Sequence, residues 1–145
     1  MNLVFKNGAT SLIAQAPTVA GLVLDYLGNH WYDTLNTLPF CIALADTGAN
    51  YGVRIPVHLL GQREGYPSFD KGDFWGCNGY AQLAWTFQTT NPGELVVARN
   101  GGIVQPVSSL TDSGTYWVIG QAVTGGDGGE KITIIDCTPT QYIVS

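Results

Sequence analysis

The chain has 145 residues, a length that suits one domain with its own hydrophobic core. Apolar residues make up 45% of it and charged residues only 12%, about half the usual share, with a net charge of −5. Six scattered basic residues form no stripe that could track phosphates, which argues against nucleic-acid binding. The chain opens without a signal-peptide pattern and has no apolar run of about 20 residues, so the sequence predicts a protein made in the cytoplasm with no membrane partner.

The first segment supports two interpretations. Residues 1–16, MNLVFKNGATSLIAQA, begin with a short apolar stretch and continue with small and polar residues. They form either an extended N-terminal arm that docks on a neighbour or an ordinary first strand. Residues 17–145 are predicted to form a single β domain.

Short β segments follow one another along the rest of the chain. Gly and Pro interrupt every candidate helix, and turn signals recur every 8–12 residues or so. An Asn78-Gly79 pair between aromatic runs predicts a hairpin turn, and Thr138-Pro139 predicts a strand break. The fold class is therefore predicted as all-β, a small antiparallel sandwich or barrel of short strands with little helix. The predicted strands lie within 18–27, 40–57, 74–87, 95–99, 103–107, 116–123, 131–137 and 141–145.

One segment occurs twice. Residues 42–57, IALADTGANYGVRIPV, align without a gap with residues 119–134, IGQAVTGGDGGEKITI, after a shift of 77 positions. Each copy has an apolar run, a loop of small residues and a second apolar run with one basic residue. The pattern predicts two equivalent β-hairpins whose loops carry no reactive group.

The sequence lacks the usual motifs of phosphate-binding, metal-binding and nucleophilic catalytic sites. The loop GGDGGEKIT has Glu130 and Ile132 where a phosphate-binding loop needs Gly and a hydroxyl residue. Two histidines and three dispersed cysteines show no metal-ligand spacing, and no nucleophile elbow is present. We therefore predict no catalytic residues, no metal, no cofactor and no enzymatic activity, with the cysteines as buried thiols. A small hydrolase remains the alternative if His30 or His58 comes within hydrogen-bond reach of a thiol or acid.

The aromatic residues are the main functional signal outside the repeat. Trp and Tyr are common both in β cores and at oligomer interfaces, and their rings can also stack on sugars. A carbohydrate-binding β module of a phage fibre or head fibre is therefore the alternative function. It requires exposure of Trp31, Trp75 or Trp85 in a row on one face.

Three short motifs resemble a known family. Residues 71–75, KGDFW, 119–123, IGQAV, and 129–134, GEKITI, resemble the turn-into-strand and Gly-rich ending of small bacteriophage capsid decoration, or cement, proteins. The resemblance covers roughly residues 40–137. It implies a structural virion protein on the capsid exterior that binds the major capsid protein, bridges and stabilises its subunits, and forms a homo-oligomer, often a trimer.

The contacts that such a role needs can be placed on the sequence. We expect residues 1–11 and the loop 61–69 to carry these partner contacts. Phe5, Tyr66 and Phe69 would be apolar anchors, and Arg63 an additional contact residue.

Overall fold

The computed structural model describes residues 9–35, 37–61, 77 and 79–145, and these confirm the all-β prediction. Helical structure in this part of the chain is limited to two 3-10 turns, Asp33–Leu35 and Val107–Ser109. None of the described helices has the length and apolar character required to cross a membrane. The strands are β1 (Ala9–Ala14), β2 (Val23–Leu24), β3 (Cys41–Ala43), β4 (Val53–Leu59), β5 (Ala81–Trp85), β6 (Leu95–Ala98), β7 (Val104–Pro106), β8 (Gly114–Ala122) and β9 (Lys131–Val144).

The first sheet contains four antiparallel strands in the order β1-β4-β3-β2. Residues 9–14, which belong to the segment considered as an arm, form its edge strand, and Leu12 pairs with Ile55. The predicted strand 18–27 is reduced to Val23–Leu24. The strand is shorter because the residues before it have other hydrogen-bond partners. The backbone N–H groups of Thr18 and Ala20 donate to the side chains of Thr47 and Asp46, and not to a neighbouring strand.

The second sheet contains five antiparallel strands in the order β5-β9-β8-β6-β7. Its longest strand, β9, continues through the predicted break at Pro139. That prediction was wrong because the pairing with β8 is irregular there: Val118 pairs with Thr140, and the next pair is Gly120 with Asp136. A proline is tolerated at such a bulge, where no ladder hydrogen bond from its nitrogen is required.

The two repeat copies form hairpins in different sheets. The first copy supplies β3 and β4, and the second supplies the end of β8 and the start of β9. The strand registers of the two hairpins differ by two residues. In the first hairpin Ile42 pairs with His58. In the second, the residue that corresponds to His58 is Ile135, and it pairs with Gln121, two residues beyond the position that corresponds to Ile42. An even offset keeps each side chain on its own face of the sheet, so the apolar pattern is preserved.

The main core packs side chains of both sheets into one cluster. Val23 and Ile42 from the first sheet meet Ile119 and Ile134 from the second, and all four are buried. Alternation along β3 and β6 sends neighbouring residues to two further clusters, which contain Cys41 and Val97. Three apolar clusters therefore stabilise the sheets and fix which edges and turns face solvent.

Removing one methyl group from the main core tests its packing. Ile134 is completely buried, and an Ile134→Val variant should lose about 1 kcal/mol of unfolding free energy through lost transfer energy and a small cavity. Urea denaturation would measure the loss. Ile143→Val, at an exposed position of the same strand, is the control and should change stability by less than about 0.5 kcal/mol.

Candidate binding surfaces

The residues predicted to contact the capsid or a second copy of the chain are not among those that the structure describes. Phe5, Arg63, Tyr66 and Phe69 lie outside the described residues, as does the motif 71–75 that contributes to the family resemblance. Sequence reasoning about partner contacts therefore stays a prediction. The surfaces that the structure does describe are formed by other residues.

An apolar groove runs beside the edge strand β5. Burial alternates along β5: Leu83 is exposed and Trp85 half-buried, while Gln82 and Ala84 are buried. Phe87, two residues after the strand, is exposed. The groove has a volume of about 420 Å³. We call it the Trp85 groove, and its lining residues are Val19, Leu22, Trp85, Thr86, Phe87, Ile103 and Gly129.

The Trp85 groove has a fixed wall and an open rim. The Trp85 indole N–H donates to the carbonyl of Ala20 at 2.9 Å, and the Lys131 ammonium lies 5.0 Å from the ring centre. Phe87 is 55% exposed at the rim. Because a ring held this way costs little entropy on binding, the groove is suited to an apolar contact with another protein.

A second exposed apolar patch lies at the turn after β2. Tyr26 and Phe40 form an edge-to-face pair with ring centres 6.5 Å apart, and Leu27 and Leu38 are also exposed. The Asp25 carboxylate holds the turn by accepting hydrogen bonds from the N–H groups of Leu27 and Asn29. Hydrophobic periodicity does not predict this exposed aromatic pair, since it does not tell which apolar side chains remain uncovered.

The aromatic row required by the carbohydrate alternative is not formed by the tryptophans that the structure describes. Trp31 belongs to the main core, is 4% exposed and donates its indole N–H to the carbonyl of Thr37 at 2.9 Å. Trp85 is half-buried in its own groove, and Trp75 lies outside the described residues. A short strand of apolar residues can place a Trp inward as readily as outward, so the sequence could not decide this.

A buried polar cluster, the Asp136 cluster, joins the two sheets. The Asp136 carboxylate accepts hydrogen bonds from the N–H groups of Gly61 and Tyr80 and from the Gln82 amide, at 2.8–3.3 Å. The His58 Nδ1 lies 3.9 Å from Asp136 Oδ2, beyond a hydrogen bond. Burial raises the pKa of Asp136, while these donors and His58 oppose the rise. The arrangement therefore gives a buried carboxylate three hydrogen-bond donors.

The three cysteines are buried free thiols. Cys77 and Cys137, which are 60 positions apart in sequence, lie in one apolar cluster. The hydrogen bond that the Cys137 thiol donates to Cys77, burial and nearby charge raise the pKa of Cys137, and burial with the Asp25 carboxylate raises that of Cys41. Thiols held in their protonated form are poor nucleophiles and metal ligands. Within the described ranges, no three His, Cys, Asp or Glu side chains are grouped as a metal site would require.

Comparison with known proteins shows a likeness in fold. No family model matches the sequence, and no curated protein matches it. Among solved structures, the fold is similar to the N base of the head fibre protein gp8.5 of bacteriophage phi29, with a TM-score of 0.55 and 19% sequence identity. The similarity covers 92% of this chain and 98% of that chain. The two proteins therefore have a similar fold over most of each chain.

Proposed function

We propose that this protein is a structural component of a phage head and forms the base of a head fibre, bound to the outer surface of the capsid. The observation that carries the proposal is the reciprocal coverage: the similarity to a head-fibre base includes nearly the whole of both chains. A fibre base needs a compact fold and surfaces for other proteins. The low charge of the chain and its exposed apolar side chains meet that need.

The proposed partner is the major capsid protein, and the proposed contact is the Trp85 groove. Aromatic side chains in partly closed apolar sites carry much of the energy of protein interfaces. The groove offers a held indole, an adjacent Phe87 and the outward face of an edge strand. We also propose a homo-oligomer, with a trimer as the form expected from the family resemblance.

The role of a cement protein that bridges capsid subunits remains a narrower proposal. A fibre base and a cement protein both bind the capsid exterior, so binding alone does not separate them. Cryo-electron microscopy of decorated heads does: a fibre base projects from one attachment point, whereas a cement protein spans neighbouring capsid subunits. The first arrangement is the expected one.

The capsid contact can be tested by cosedimentation with purified empty heads of the phage that encodes the protein. We expect the wild-type protein to sediment with the heads and Phe87→Ser to bind about tenfold more weakly or worse, since it removes a rim aromatic. Tyr26→Ser, at a similarly exposed aromatic outside the groove, is the matched control and should bind like the wild type. Analytical ultracentrifugation of all three proteins measures the oligomer in parallel. A wild-type protein that never binds heads would refute the proposed function, and equal losses in both variants would refute the groove as the contact.

A further inference from the structure

A polar cleft opens on a different part of the surface from the Trp85 groove. It lies where the turn between β6 and β7, the 3-10 turn Asp33–Leu35 and the first residues of β8 meet. Two adjoining cavities of about 240 and 250 Å³ share Trp31, Asp33 and Thr115. Together they reach the lower part of the range of about 300–1,000 Å³ that is typical of small-molecule sites. We call this site the Asp33 cleft.

The walls of the Asp33 cleft are fixed by hydrogen bonds between its elements. Gly101 N–H donates to the carbonyl of Trp31 at 2.9 Å, and Asp33 N–H donates to Asn100 Oδ1 at 2.8 Å. The Trp31 indole N–H donates to the carbonyl of Thr37 at 2.9 Å. The first two hydrogen bonds join Trp31 and Asp33 to the β6–β7 turn, and the third joins Trp31 to Thr37, so the cleft is formed before any ligand enters.

The cleft presents polar groups that have no partner among the described residues. The carboxylates of Asp33 and Asp112 and the hydroxyls of Ser113 and Thr115 are exposed and line the two cavities. Asn100 uses its side-chain oxygen on Asp33 N–H, which leaves its amide N–H₂ as a donor. The cleft therefore offers acceptors and donors at short spacing.

Aromatic and apolar side chains complete the lining. Trp117 packs half-buried against the core beside exposed Leu38 in the second cavity. In the first cavity the Arg99 guanidinium lies 5.3 Å from the centre of the Tyr116 ring and donates to Gln105 at 2.6 Å. The cleft has two carboxylates, Asp33 and Asp112, and one cation, Arg99, which already donates a hydrogen bond to Gln105. This charge balance disfavours an anionic ligand.

We propose that the Asp33 cleft binds a neutral saccharide. The C–H face of a pyranose ring packs on an aromatic surface such as Trp117, and its hydroxyls donate to carboxylates and accept from an amide. The Asp33 and Asp112 carboxylates and the Asn100 amide supply those groups. This site is separate from the proposed capsid contact and adds a ligand class that the fibre-base role does not require.

The experiment titrates the full chain with glucose, galactose and N-acetylglucosamine, followed by calorimetry and by nuclear magnetic resonance shifts of the tryptophan indole N–H groups. We expect at least one sugar to saturate in the millimolar range and to shift the Trp31 or Trp117 signal but not that of Trp85. Asp112→Asn should weaken binding about tenfold, since it removes a charged acceptor. Asp127→Asn, at an exposed carboxylate outside the cleft, is the matched control and should bind like the wild type.

Several results would overturn the saccharide proposal. No saturable binding of any of the three sugars would do so, as would equal weakening by Asp112→Asn and Asp127→Asn. Binding of inorganic phosphate in place of the sugars would contradict the neutral ligand class. Because the sugar titration needs no heads and cosedimentation needs no sugar, failure of the saccharide site and failure of the fibre-base role are separate outcomes.

Discussion

A Gly79→Ala variant is expected to lose at least about 3 kcal/mol of unfolding free energy, a large part of the roughly 5–15 kcal/mol that is typical of a domain. A Cβ at this position would overlap the Asp136 carboxylate. Neither side can move away cheaply. Gly79 N–H donates to the Asp136 carbonyl at 2.9 Å, and the carboxylate itself is held by Gly61, Tyr80 and Gln82. Urea denaturation followed by tryptophan fluorescence would measure the loss.

The matched control is another glycine whose Cβ would meet nothing. Gly93 has a φ of +92° and no atom within 4 Å of an added Cβ. Gly93→Ala should therefore cost only the backbone strain of about 1–2 kcal/mol. Equal losses in the two variants would show that the close approach of Gly79 to the Asp136 cluster is not what requires glycine there.

The sequence was sufficient for the fold class and for most strands of the second sheet. Strands β6 to β8 lie where short apolar runs are bounded by turn residues, because that pattern depends only on local chain geometry. It was insufficient where a side chain from a distant segment replaces a strand partner. The side chains of Thr47 and Asp46 accept hydrogen bonds from the backbone of Thr18 and Ala20. No pattern in the sequence around residue 18 predicts these long-range hydrogen bonds.

The candidate sites were less predictable than the fold. The Asp33 cleft combines segments near residues 33, 100 and 115, which come together only through the packing of the sheets. Likewise, the Asn78-Gly79 pair predicts a hairpin turn, and Asn78 lies outside the described residues; what the structure shows is the close approach of Gly79 to Asp136. A glycine needed for space and a glycine needed for a turn look the same in one sequence.

The ionisation of Asp136 should be visible in the pH dependence of stability. Burial raises the pKa of this carboxyl above its ordinary 3.8, so the folded protein binds the proton more tightly than the unfolded chain. The protonated Asp136 carboxyl therefore makes its full contribution to the unfolding free energy below pH 3.8. That contribution is lost as the pH rises through the higher pKa of the folded form. Each unit of difference between the two pKa values is worth about 1.4 kcal/mol.

An Asp136→Asn variant isolates that contribution because an amide of nearly the same shape does not titrate. The unfolding free energy of the wild type minus that of the variant should decrease as the pH rises from 3.8, and it should become constant above the folded pKa. Urea denaturation at a series of pH values would follow it. Asp127→Asn, at an exposed carboxylate, is the control and should keep the wild-type profile. A difference that increases with pH would mean that the donors around Asp136 outweigh its burial, and that the cluster prefers the ionised carboxylate.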